Sequence, residues 1–67
     1  MAILKVVELL SESETSWEAA AQEAVKVAAK TVDNIKSVNI GNFQAIVEDN
    51  KVVKYRVNAK VSFIVHD

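Results

Sequence analysis

Lys51-Val52-Val53-Lys54-Tyr55-Arg56-Val57-Asn58-Ala59-Lys60-Val61-Ser62-Phe63-Ile64-Val65 is the stretch that decides the fold. Val53, Tyr55, Val57, Ala59, Val61, Phe63 and Val65 fall on one side of an extended chain. Lys54, Arg56, Asn58, Lys60 and Ser62 fall on the other. Successive side chains of a strand point to opposite faces, so this alternation predicts a long strand with one buried and one polar face.

Upstream of it, Asp49-Asn50 is a plausible hairpin turn, although Asn-Gly would be the stronger signal. Before the turn, Ile35 to Glu48 reads as a second strand. It is long, and the chain's only glycine, Gly41, sits near its middle, where a lone glycine suggests a bulge or bend. Thr15-Ser16-Trp17-Glu18 matches a capping box, in which the Thr15 hydroxyl and the Glu18 carboxylate satisfy free amides at a helix start. The alanine-rich run from Ala19 to about Asp33 follows. It places Ala20, Ala21, Ala24, Val25, Ala28 and Val32, with Trp17, at helical spacing. Such small side chains let a helix lie close to a sheet. Ser11 to Glu14 reads as a loop, and Ala2 to Leu10, rich in Val, Ile and Leu, as the first strand.

The order is β-α-β-β, an α+β subunit with a three-stranded antiparallel sheet wrapped around one helix. The second and third strands make a hairpin, the first returns beside the third, and the helix covers the apolar face. Residues 1–67 form one domain.

A chain of 67 residues hides only about 60% of its unfolded surface when it folds alone. Small chains compensate with disulfides, metals or oligomerisation. Cysteine is absent, which excludes disulfides, thiolate metal sites and thiol nucleophiles. One histidine, His66, excludes a histidine-rich metal site within a subunit, and a solvated tail is its plainest role. The apolar fraction is 51%, high for so short a chain. Together with two open sheet edges, it predicts association with further copies.

A net charge of −1 and a pI near 5.7 argue against a nucleic-acid partner. No apolar run approaches the roughly 20 residues of a membrane span. MAILKVVELLSES lacks a basic start and a small-residue cleavage site, so it does not read as a signal peptide, and cytoplasmic residence is expected.

No nucleophile, base and orienter converge, and one glycine cannot build a phosphate-cradling loop, so no enzyme activity is expected. Glu12, Glu14 and Glu18 gather at the helix start, where they support capping and the helix dipole or contribute to a cation site. Glu48, Asp49 and Asn50 offer the same choice between a solvated turn and a cation site. Trp17 reads as a core or interface anchor. Arg56, the only arginine, is flanked on the polar face by Lys54 and Asn58. That row either lines a cavity and meets an anion or is a solvated face.

Several segments carry a family resemblance: Lys5-Val6-Val7-Glu8-Leu9, Thr15-Ser16-Trp17-Glu18 with the alanine-rich helix, Thr31-Val32-Asp33-Asn34, and Tyr55-Arg56-Val57 with Val61-Ser62-Phe63. In this order and spacing they resemble the dodecins over nearly the full chain, and the calcium-dodecin branch more than the flavin-stacking branch. The resemblance implies a hollow homododecamer that binds or stores a small molecule or ion. In flavin-binding dodecins a Trp stacks on the isoalloxazine ring, a Gln meets it and an acidic residue contacts the flavin side chain. Those positions correspond here to Ser37, Arg56 and Asn42. Serine has no π face, so the resemblance implies weak or absent flavin binding, with riboflavin or FMN storage as the alternative. Calcium or another divalent cation on a symmetry axis is the implied cofactor. Acidic or amide groups of three chains are the expected ligands, and no individual metal ligand is assigned.

Overall fold

The computed structural model describes residues 2–65. It contains β1 (Ile3–Ser13), α1 (Trp17–Ala28), β2 (Ile35–Glu48) and β3 (Lys51–Val65). The sheet is antiparallel in the order β1-β3-β2, so β3 is central, as its alternation requires. Val57, Ala59 and Val61 point to the helix side and are fully buried. Across from them lie Ala20, Ala24 and Ala28 of α1, spaced one turn apart and also buried. With methyl groups as its only inward side chains there, the helix can approach the sheet closely.

Three boundaries differ from the sequence expectation. β1 continues through Ser11 to Ser13, opposite Val57 and Tyr55, where a loop was expected. Ser11 and Ser13 keep the two-residue period but carry no apolar signal. Secondly, Ser16, not Thr15, caps the helix. Its backbone is extended at φ −169° and its hydroxyl accepts from the Ala19 amide at 2.9 Å. Position three of the helix is then alanine, so the reciprocal Glu18 contact of a capping box has no place. Glu18 instead lies in the first turn and Lys26 in the last, where each favours the helix dipole. Thirdly, α1 ends at Ala28, five residues before Asp33. The Lys30, Thr31 and Val32 amides close turns onto Val27 and Ala28 carbonyls, and Asn34 takes φ 59° to redirect the chain into β2.

The hairpin turn is as expected. Asp49 and Asn50 both have positive φ, 52° and 62°, the handedness that a two-residue turn needs to match strand twist. The bulge is also present, but its left-handed residue is Asn42 at φ 51°, not Gly41. Gly41 pairs with Asn58 and Gln44 with Arg56, so Asn42 and Phe43 together oppose Val57. This extra residue shifts the phase of β2. Ser37, Asn39 and Gly41 share the face away from the helix before it, and Gln44 and Ile46 after it.

The fold is elongated, 51 × 19 × 13 Å, with a radius of gyration of 13.7 Å. A compact chain of this length would have about 11 Å. The cause is a mismatch of lengths. Fifteen residues of β3 extend about 50 Å, whereas twelve residues of helix cover about 18 Å.

Candidate functional site

The face of the sheet opposite the helix carries the polar row of β3. Arg56 lies at its centre, directly across the ladder from Glu12 of β1. Arg56 Nε donates to Glu12 Oε2 at 2.8 Å, and Nη2 forms an ion pair with the same oxygen at 2.6 Å. Lys54 Nζ stands 3.8 Å from the other oxygen, Oε1. Glu12 therefore holds two cations on separate oxygens. The hydrogen bond from Arg56 is the chief reason its carboxyl stays below the ordinary glutamate range. Partial desolvation opposes that effect, and the positive charges of Arg56 and Lys54 add to it. One step along, Asn58 Nδ2 reaches diagonally to Glu8 Oε2 at 2.6 Å.

Sequence reasoning found the β3 half of this arrangement and missed the β1 half. Glu8 and Glu12 are four residues apart, so on a strand they share a face. Their spacing contained the signal, but ending β1 at Leu10 removed Glu12 from the strand. Register then does the rest, because it sets Glu12 directly opposite Arg56.

Beside this network is an open depression of about 400 Å³ lined by Glu12, Ser13, Glu14 and Lys54. Ser13 Oγ accepts from the Thr15 amide at 3.0 Å and shares a hydrogen bond with Thr15 Oγ1 at 2.9 Å, which fixes the exit from β1.

Ser37 is exposed on β2 and pairs with Ser62, six residues along β3 from Arg56, or about 20 Å. Asn42 is exposed in the bulge beside the Arg56 region. The chain thus brings Asn42 and Arg56 near the middle of the sheet and leaves Ser37 towards one end. Among the described residues no three Asp, Glu, His or Cys side chains converge as a metal-binding group. His66 lies outside the described residues.

Trp17 anchors the helix start. Its ring packs edge-on against Tyr55 at 5.0 Å and Phe43 at 5.9 Å, and its Nε1–H donates to the Gln44 carbonyl at 3.0 Å. It is 37% exposed and Phe43 is 59% exposed, so the cluster forms a partly open apolar surface rather than a closed core. No helix among the described residues is long and apolar enough to cross a membrane.

The model of the Dodecin family matches residues 3–66. The chain belongs to the dodecin family. It is 36% identical to calcium dodecin of Mycobacterium tuberculosis over 63 residues, 94% of this chain and 89% of that one. The crystal structure of that calcium dodecin, described as calcium chelating with a novel calcium-binding site, superposes with a TM-score of 0.83 at 34% identity. It covers 96% of this dodecin and 91% of the other chain. A variant of Thermus thermophilus dodecin superposes with a TM-score of 0.92 at 28% identity over 100% of both chains. The βαββ topology of this dodecin is that of its relatives, and its identity to calcium dodecin exceeds its identity to the Thermus chain.

Proposed function

We propose that this dodecin is the subunit of a hollow, cytoplasmic homododecamer that binds and holds a small ligand or cation and catalyses no reaction. The observation that carries the reading is the poverty of the single-chain core. Among the described residues six side chains are buried, none larger than valine, while Leu10 is 70% exposed, Val6 57% and Leu4 54% on the outer face of β1. Apolar surface of this kind on an open edge strand is stabilised by a second copy.

Calcium is the favoured ligand because a relative 36% identical is a calcium dodecin. Its donors would come from several chains around a symmetry axis. Ser37, Asn42 and Arg56 are the proposed ligand-facing residues, Ser37 and Arg56 on the face away from the helix and Asn42 in the bulge. Ser37 in place of a stacking Trp supports weak flavin binding.

Light scattering gives the test of assembly. A native mass about twelve times the 7.4 kDa chain is expected, and a monomer stable at micromolar concentration overturns the proposal. Calorimetric titration with Ca²⁺ and fluorescence titration with riboflavin and FMN test the ligand. Calcium uptake supports the reading, whereas flavin quenching at submicromolar concentration replaces it with flavin storage.

A further inference from the structure

We infer that Glu12 is a built-in carboxylate guard over an anion-binding pair, Arg56 and Lys54, and that it sets the charge class of ligand the outer face accepts. The inference rests on the proposed ligand-facing role of Arg56. Arginine recognises phosphate and carboxylate through parallel N–H groups of its planar fork. Here the Nε and Nη2 edge is already engaged, with both groups on Glu12 Oε2 at 2.8 and 2.6 Å. Lys54, the other cation that could help to hold an anion, stands 3.8 Å from Oε1 of the same carboxylate. For an incoming phosphoryl group to use that edge, it has to displace an ion pair that the β1–β3 register presents as directly opposed residues. It must also approach a negative charge at contact distance. Asn58, the next polar side chain of the row, is likewise turned to a carboxylate, Glu8. Neutral and cationic ligands meet no such obstacle. The depression lined by Glu12, Ser13, Glu14 and Lys54 gives them room beside the same carboxylate.

Glu12→Gln keeps the shape of the side chain and removes the guard's charge. Calorimetric titration with inorganic pyrophosphate at low ionic strength, on protein whose assembly has been sized, reads the effect. One unit charge removed at contact distance in a water-like dielectric corresponds to at least about fivefold in affinity. Glu12→Gln is expected to bind pyrophosphate at least that much tighter than wild type. Adding Arg56→Gln is expected to abolish the gain. Glu8→Gln changes net charge equally but leaves the Arg56 fork engaged, so it is expected to stay within about twofold of wild type. Should Glu12→Gln not assemble, Glu12→Asp, whose reach is shorter by one methylene, is expected to give a smaller gain. No gain in the assembled variant overturns the inference, and so does an equal gain from Glu8→Gln. A monomeric protein that still shows the Glu12→Gln gain refutes the assembly and keeps the guard, whereas a sized assembly without the gain does the reverse.

Discussion

The indole N–H of Trp17 is bonded to the main-chain carbonyl of Gln44, 27 residues away, so the first turn of α1 is tied to the bulged segment of β2. The bond uses a carbonyl next to the point where the β2–β3 register shifts. The helix start and the bulge thus fix each other. Trp17→Phe retains the ring contacts with Phe43 and Tyr55 and loses only the donor. A loss of about 1 kcal/mol is expected, and Trp17→Ala should cost more, about 2–3 kcal/mol for a partly exposed ring. Urea unfolding at one fixed protein concentration measures both, since the proposed association would make apparent stability concentration-dependent.

The pH dependence follows from Glu12. Its folded-state pKa lies below the unfolded value, so its pairing with Arg56 and Lys54 contributes stability above the unfolded pKa, about 4.3. That contribution is lost as pH falls through the folded pKa. Thermal midpoints of wild type and Glu12→Gln should differ at neutral pH and converge progressively as pH falls below the unfolded value and through the lowered folded one. Curves that remain parallel through that window would contradict the pairing.

Gly41 and Asn42 should respond oppositely to alanine. A Cβ at Gly41 meets nothing within 4 Å, and its φ is not positive. Gly41→Ala is expected to be neutral or to stabilise by about 0.4–1 kcal/mol through the unfolded chain. Asn42, at φ 51°, sits where a Cβ is strained, and Asn42→Ala should destabilise by about 1 kcal/mol. Thermal unfolding of the two variants decides whether the bend depends on the glycine or on the asparagine.

In the hairpin turn, Asn50 at φ 62° is a position that glycine occupies without strain. Asn50→Gly should stabilise by a few tenths of a kcal/mol, up to about 1, and Asn50→Val should destabilise by at least about 1 kcal/mol. Denaturant midpoints separate the pair.

The helix–sheet contact limits side-chain size. Ala24 is 2% exposed on the face of α1 that packs on the sheet. Ala24→Leu is expected to cost about 1–3 kcal/mol by overpacking. Circular dichroism melts at matched concentration would show it as a lowered midpoint.

How far the fold could be read from the residues depended on whether apolarity marked the period. On β3 it does, and Val57, Ala59 and Val61 proved to be the buried set. Beyond Leu10 the same period continues in Ser11 and Ser13, which give no apolar signal, so the strand's true length was hidden. The helix lacks a Gly or Pro stop after Ala28, and the alanine-rich composition overstated its length. In β2 the bulge breaks the alternation, and Gly41 marked the right neighbourhood but the wrong residue. The candidate site divides the same way. Arg56 and its row were visible, whereas Glu12 became a partner only through strand register, which a single chain's pattern does not reveal.

The uncovered outer face of β1 has a consequence for the life of the protein in a cell. A lone subunit displays Leu4, Val6, Leu10 and Phe43 to water, the kind of surface that chaperones and proteases use to recognise unfolded chains. Under the proposed assembly, newly made copies that fail to find one another would be cleared as if misfolded. The steady level of the protein would then follow the rate at which subunits meet, and excess synthesis would raise turnover more than abundance.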